Sequence, residues 1–133
     1  MFIAHRAVEN RVLEALRAAG YDATVAQGRV FQRIGPNGTR LTELAEAAQV
    51  TKQTAGYLVD QLERAGMVER VPDPADARAR LVRITSKGAE TVPLSKAVLS
   101  EIEAEWTEHL GKRRMDQLRE ALTMLREITD PYM

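Results

Sequence analysis

From Leu41 to Thr85 the chain reads LTELAEAAQVTKQTAGYLVDQLERAGMVERVPDPADARARLVRIT, and the order of patterns in that stretch leaves few folds open. A short helical pattern with Leu44, Ala45 and Ala48 on its inner face is followed at once by a second, Ala55, Leu58, Val59 and Leu62. The i, i+3, i+4, i+7 spacing of the second set makes one apolar stripe. Gln49 and Val50 form the turn between them, and Thr42 and Thr51 are each placed to cap a helix start through a hydroxyl. Gly66 ends the second helix, and Val68, Val71, Leu81 and Ile84 then supply strand residues around a loop holding Pro72, Asp73 and Pro74. Helix, tight turn, helix and strand pair in that order describe a winged helix-turn-helix. Its second helix can enter a DNA major groove, and its wing loop can reach the adjacent backbone or minor groove.

The flanks are helical in pattern. Ile3, Ala7, Val8, Val12, Leu16 and Ala19 recur at three- and four-residue steps up to Gly20. Asp22 can cap a second helix carrying Val25, Ala26, Val30, Phe31 and Ile34, and the tetrapeptide Gly35 to Gly38 is a turn. Thr85 or Ser86 can open a helix with Leu94, Val98, Ile102, Trp106 and Leu110. After a break near Gly111 comes a last helix with Met115, Leu118, Leu122, Leu125 and Ile128, spaced like a coiled-coil seam. The expectation is a mainly α single domain over residues 1–133 with a small β wing. N-terminal helices occupy 1–34, the winged helix-turn-helix 35–88, and C-terminal dimerisation helices 89–133. An intramolecular bundle also fits the terminal seam; a symmetric homodimer is preferred, because such proteins read two half-sites.

Composition narrows the function classes. With no cysteine in 133 residues, disulfides, thiolate metal sites and thiol redox switches are excluded. His5 and His109 have no second histidine close in sequence, so no metal or other cofactor is expected. No nucleophile–base pairing or Gly-rich phosphate loop suggests an enzyme. No run approaches the roughly 20 apolar residues of a membrane span, and charges are scattered through the N-terminus, so the expected location is the cytoplasm. Net charge is zero but unevenly spread: residues 1–39 hold five arginines against three acids, residues 40–87 eight bases against seven acids, and residues 88–133 six against nine. A slightly basic remainder beside an acidic C-terminal part suits a protein that meets phosphate on one side.

The polar face of the second helix displays Lys52, Gln53, Thr54, Tyr57, Gln61 and Arg64, with Thr51 at its start. A groove reader needs hydrogen-bonding side chains there, although a merely solvated face gives the same pattern. The wing adds a second feature. Arg78 and Arg80 are expected to project from its tip, with Asp76 placed to pair with Arg78 and orient it, and a narrow minor groove attracts an oriented guanidinium. A solvated hairpin with a weak surface ion pair is the alternative.

From about Arg40 to Gly88 the sequence resembles the multiple-antibiotic-resistance regulator (MarR) family of bacterial transcription factors. The matching strings are LTELA, VTKQT, LVDQLERAGMVER and DPADARARLVRITSKG, the last with its D-x-R core at Asp76 and Arg78. The resemblance implies an obligate homodimer on double-stranded DNA, most often a repressor, presenting two winged modules to a pseudo-palindromic operator. It places Thr51, Lys52, Gln53, Thr54 and Tyr57 toward the major groove and Arg78, steadied by Asp76, in the minor groove. Three departures stand out. Gln49 occupies a turn position where relatives often have glycine, and Gly56-Tyr57 replaces a frequent Ser/Thr–Arg pair. The cysteine of the peroxide-sensing branch is absent. Loss of the arginine implies an operator read partly by Tyr57 stacking or packing on a thymine methyl.

The resemblance also implies a small aromatic or anionic effector bound between the helical region and the winged module. Tyr21, Phe31, Arg33 and Trp106 are the candidate ligand-binding residues, with plain core or interface packing as the alternative for each. A winged helix used for protein–protein contact, without specific DNA binding, is the competing function class.

Overall fold

In the computed structural model, which describes residues 1–132, the stretch from Leu41 to Ile84 forms the expected helix-turn-helix and hairpin. The elements are α1 (Phe2–Ala18), α2 (Val25–Phe31), α3 (Leu41–Ala47), α4 (Lys52–Arg64), β1 (Val68–Asp73), β2 (Asp76–Ile84), α5 (Ser86–Ala89), α6 (Thr91–Leu110) and α7 (Lys112–Thr129). They divide between two units, Met1–Ser95 and Lys96–Met133. Among the described residues no helix is long and apolar enough to cross a membrane.

Two helix starts in the first unit differ from expectation. Thr24, not Asp22, caps α2: its Oγ1 accepts the Gln27 N–H at 3.2 Å, and Gln27 Oε1 accepts the Thr24 N–H at 3.3 Å. This reciprocal box requires Gln or Glu three residues after the cap, which Thr24 has and Asp22 lacks. Thr42 lies inside the first turn of α3, whose N-cap position is Arg40 without a side-chain cap. Thr39, just before, is held by a two-way backbone bridge to Val82 at 2.9 and 2.8 Å, and this fixes where the helix can begin. The expected cap at Thr51 is present, its Oγ1 accepting the Thr54 N–H at 3.1 Å.

The core joins α2, α3, α4 and the hairpin through Val30, Ile34, Leu44, Leu58, Val59, Leu62, Val68 and Val82. The antiparallel register pairs Val68 with Ile84 and Arg70 with Val82, so these four share the inner face of the sheet. Val71 and Leu81 pair with each other on the opposite face and are only half-buried, so the deeper strand residue is Val82. Where one helix was expected after the wing there are two, because a short α5 capped by Thr85 precedes α6.

Both helices of the helix-turn-helix end in the same motif, with different residues at the critical position. At the end of α4, Gly66 (φ +77°) donates to Glu63 O and Met67 to Leu62 O. At the end of α3, Gln49 (φ +58°) donates to Glu46 O and Val50 to Ala45 O. The motif calls for a left-handed residue, which costs a side-chain-bearing residue about 1–2 kcal/mol relative to glycine. Gln49 recovers part of this through Nε2, which donates to Glu46 O at 2.8 Å. Gln49→Gly is therefore expected to stabilise the fold by about 0.5 kcal/mol, after the extra chain entropy of glycine is set against the relieved strain. A thermal melt showing a lower midpoint would contradict this account of the turn.

The second unit holds most of α6 and all of α7, separated at Gly111 (φ +86°) and linked by an Arg119–Glu103 ion pair at 3.2 Å. Ile102 and Met115 are buried. Leu118, Leu122, Leu125 and Ile128, the expected seam of α7, are exposed, Ile128 by 83%.

Candidate nucleic-acid interface

The N-terminal turn of α4 presents Lys52, Gln53 and Thr54 to solvent, and Tyr57 one turn on is 59% exposed. Four buried residues, Ala55, Leu58, Val59 and Leu62, anchor the opposite face. Thr51 is committed to the helix start: besides capping, its hydroxyl donates to Thr54 Oγ1 at 2.9 Å. Gln61 stands at the border of the open face, half-buried, with Oε1 accepting from Gln27 Nε2 at 3.2 Å.

The wing differs from expectation in two ways. Its tip is Pro74-Ala75, not the arginines. The register runs from Pro72–Arg80 directly to Asp73–Asp76, so Ala77, Arg78 and Ala79 form an irregular stretch of β2 with no partner on β1. Arg78 sits in the middle of that stretch. Further, Asp76 does not pair with the Arg78 guanidinium; its Oδ1 accepts the Arg78 backbone N–H at 3.0 Å. A carboxylate two residues upstream in a turn reaches the main chain more readily than the side chain. Asp76 thus shapes the backbone under Arg78 and leaves the guanidinium free.

The cations of the helix-turn-helix and wing sort into two sets. Arg70 bonds Asp60 at 2.8 Å and Glu63 at 2.9 Å, Arg83 is paired with Glu69, and Arg40 bonds Asp73 at 2.8 Å. Asp73 is itself buried, and its carboxyl is held below the usual range by the Ala75 N–H first and the Arg40 guanidinium second. Among the described residues, Lys52, Arg64, Arg78 and Arg80 carry no ion pair, and all four are exposed. Internal pairing therefore silences the positive charge of three arginines and leaves it uncompensated on α4 and on β2 at Arg78 and Arg80. Arg64, on the outer face by its spacing, joins the expected site residues here, and the Arg40–Asp73 pair has no sequence signature. Only the fold brings those two together.

A cavity of about 280 Å³ lies within the first unit, with Leu16, Tyr21, Phe31, Leu62, Met67 and Lys87 among its lining residues. Tyr21 and Phe31 were expected there. Arg33 and Trp106 do not line it: Arg33 follows the C-cap of α2, and Trp106 belongs to the second unit. The Tyr21 hydroxyl donates to Glu90 Oε2 at 3.2 Å, and burial, then this carboxylate, raises its pKa. On the same wall the start of α5 clasps the end of α4. Lys87 Nζ donates to Ala65 O at 2.8 Å, the Thr85 hydroxyl donates to Gly66 O, and Gly88 lies directly against the Met67 carbonyl.

The sequence pattern that defines the MarR family matches residues 21–79, running from the entry to α2 through the free Arg78 of the wing. The solved transcriptional regulator Tm0710 from Thermotoga maritima is 31% identical and superimposes with a TM-score of 0.66, over 94% of this chain and 87% of that one. The chain belongs to the MarR family. Wild-type MarR from E. coli superimposes with a TM-score of 0.75 at 25% identity, covering 93% of this chain and 92% of its own. Transcriptional regulator HosA of Escherichia coli O111:H- is 35% identical over 82 residues, which are 58% of this MarR-family chain and 61% of HosA. The chain thus spans about three fifths of the length of that curated relative.

Proposed function

We infer that this MarR-family chain is a sequence-specific DNA-binding transcriptional regulator, a repressor that binds a pseudo-palindromic operator as a homodimer. The observation that carries the reading is the sorting of charge within the helix-turn-helix and wing: Arg40, Arg70 and Arg83 are paired with carboxylates, while Lys52, Arg64, Arg78 and Arg80 are not. A protein of zero net charge still attracts phosphate where its local field is positive. Lys52, Gln53, Thr54 and Tyr57 then meet base edges and backbone in the major groove, and Arg78 and Arg80 reach the flanking groove from the wing. The exposed leucine seam of α7 supports the dimer, since a second copy removes it from water. The cavity beside Tyr21 and Lys87 suits a small aromatic or anionic effector. Filling it releases DNA by favouring another spacing of the two recognition helices.

Footprinting on the intergenic DNA beside its own coding sequence tests this directly. A protected site with two half-sites about one helical turn apart is expected. If the four free cations of both protomers meet phosphate or base, log affinity falls against log salt with a slope of roughly −4 to −7. Tyr57, a large exposed aromatic at the centre of the face, favours protein–protein docking as the second reading. No saturable binding to any such fragment, or binding indifferent to salt, decides for that reading.

A further inference from the structure

Consecutive residues at the start of α3 hold both strands of the wing. Thr39 grips β2 through its backbone bridge to Val82, with bonds of 2.9 and 2.8 Å. Arg40 grips the end of β1 through its side chain, with Nε and a terminal nitrogen each 2.8 Å from Asp73 Oδ2. The other oxygen of Asp73 accepts the Ala75 N–H at 2.8 Å, so one buried carboxylate ties the hairpin tip to the helix-turn-helix. This tie is placed where the ladder slips, at the step between Pro72 and Asp73, opposite the unpaired residues that include Arg78. A two-stranded ribbon has little sheet to fix its angle, and the slip removes ladder bonds that could do so.

We propose that Arg40 and Asp73 are positioning residues for DNA recognition: their ion pair sets the angle of the wing, and thereby where Arg78 is presented, while neither residue touches DNA. The inference rests on the DNA-binding reading above. It assigns Arg40 a role opposite to that of the unpaired cations, because its charge, although the side chain is 41% exposed, is spent on Asp73. The Asp73 hydrogen bond and charge hold the Arg40 guanidinium in its charged form, with a smaller contribution from the Asp76 charge. A planar guanidinium can place two N–H donors on the single oxygen Oδ2 while Oδ1 serves the Ala75 N–H, and lysine, a point charge, replaces it only in part.

The experiment measures binding of purified dimer to the duplex that the wild-type protein protects in footprinting, with folding checked by thermal melts. Asp73→Asn is expected to weaken binding about tenfold, Arg40→Gln by a similar factor, and the double variant by no more than either alone. Arg40→Lys retains part of the affinity. Arg78→Ala, costly in the wild-type background, is expected to cost at least several-fold less in the Asp73→Asn background, a coupling that a general loss of stability does not produce. If Asp73→Asn does not fold, Arg40→Lys carries the same cycle with Arg78→Ala. If Asp73→Asn binds as tightly as wild type or tighter, Arg40 is a phosphate contact that Asp73 restrains, and the proposal is overturned. Strict additivity with Arg78→Ala overturns it as well. Absence of salt-dependent duplex binding by the wild type instead removes the DNA reading itself, and the positioning role with it.

Discussion

Gly88→Ala is expected to destabilise the protein by about 3 kcal/mol, at the upper end of what overpacking costs. A β-carbon on Gly88 falls 2.2 Å from the Met67 carbonyl oxygen and 3.0 Å from Ile84 Cγ2. The first contact is with backbone, so no flexible side chain can swing away to relieve it. Either α5 lifts off the end of α4, or the Gly66–Met67 turn distorts and loses the bonds that close it. For a chain of this length the melting midpoint drops by roughly 10 °C. A calorimetric midpoint within a few degrees of wild type would show that this junction yields more easily than its packing indicates. Gly28 is the control: a methyl there meets no atom within 4 Å, so Gly28→Ala leaves the midpoint nearly unchanged or raises it.

The second large effect is on DNA affinity. If the protein binds as the proposed dimer with Arg78 in a groove, Arg78→Ala is expected to weaken binding about a hundredfold at moderate salt, from roughly 1–3 kcal/mol per contact in each of the two protomers. Arg78 is exposed, has no ion pair among the described residues, and stands on the unpaired stretch of β2. Its removal therefore breaks nothing inside the protein, and the melting midpoint and the proposed dimer are expected to persist. The magnitude of the salt slope falls by about two, one contact per protomer. Unchanged affinity by fluorescence anisotropy, with the dimer verified by sedimentation, would count against a groove contact at this residue.

Much of this could be read from local pattern. The stripe Ala55, Leu58, Val59 and Leu62 is buried as its spacing requires, Thr51 caps α4, and Gly66 and Gly111 stop helices by adopting positive φ. These features depend on residues within one or two turns of each other, and sequence displays them directly. The features that sequence does not display depend on distant partners or on competition between near neighbours. Thr24 prevailed over Asp22 because Gln27 completes its box. Thr42 lost the cap of α3 because Thr39 is held by Val82, 43 residues away. Asp76 and Arg78 are adjacent enough to suggest an ion pair, yet the main-chain N–H is nearer to the carboxylate than the guanidinium is. The pairing of Arg40 with Asp73 spans 33 residues and has no local signature. Charge counts alone gave the helix-turn-helix and wing a near-neutral balance; only the pairing pattern shows which charges face outward.

The clasp at the end of α4 bears on how mutants of this chain are to be interpreted. Thr85 and Lys87 follow the wing in sequence, and a regulatory defect caused by substituting either would ordinarily be charged to wing contacts. Their side chains instead donate to the carbonyls of Gly66 and Ala65, the Thr85 hydroxyl also capping α5. A genetic screen that recovers them reports on the seating of the reading helix, and their phenotypes belong with those of Ala65 and Gly66 rather than with Arg78.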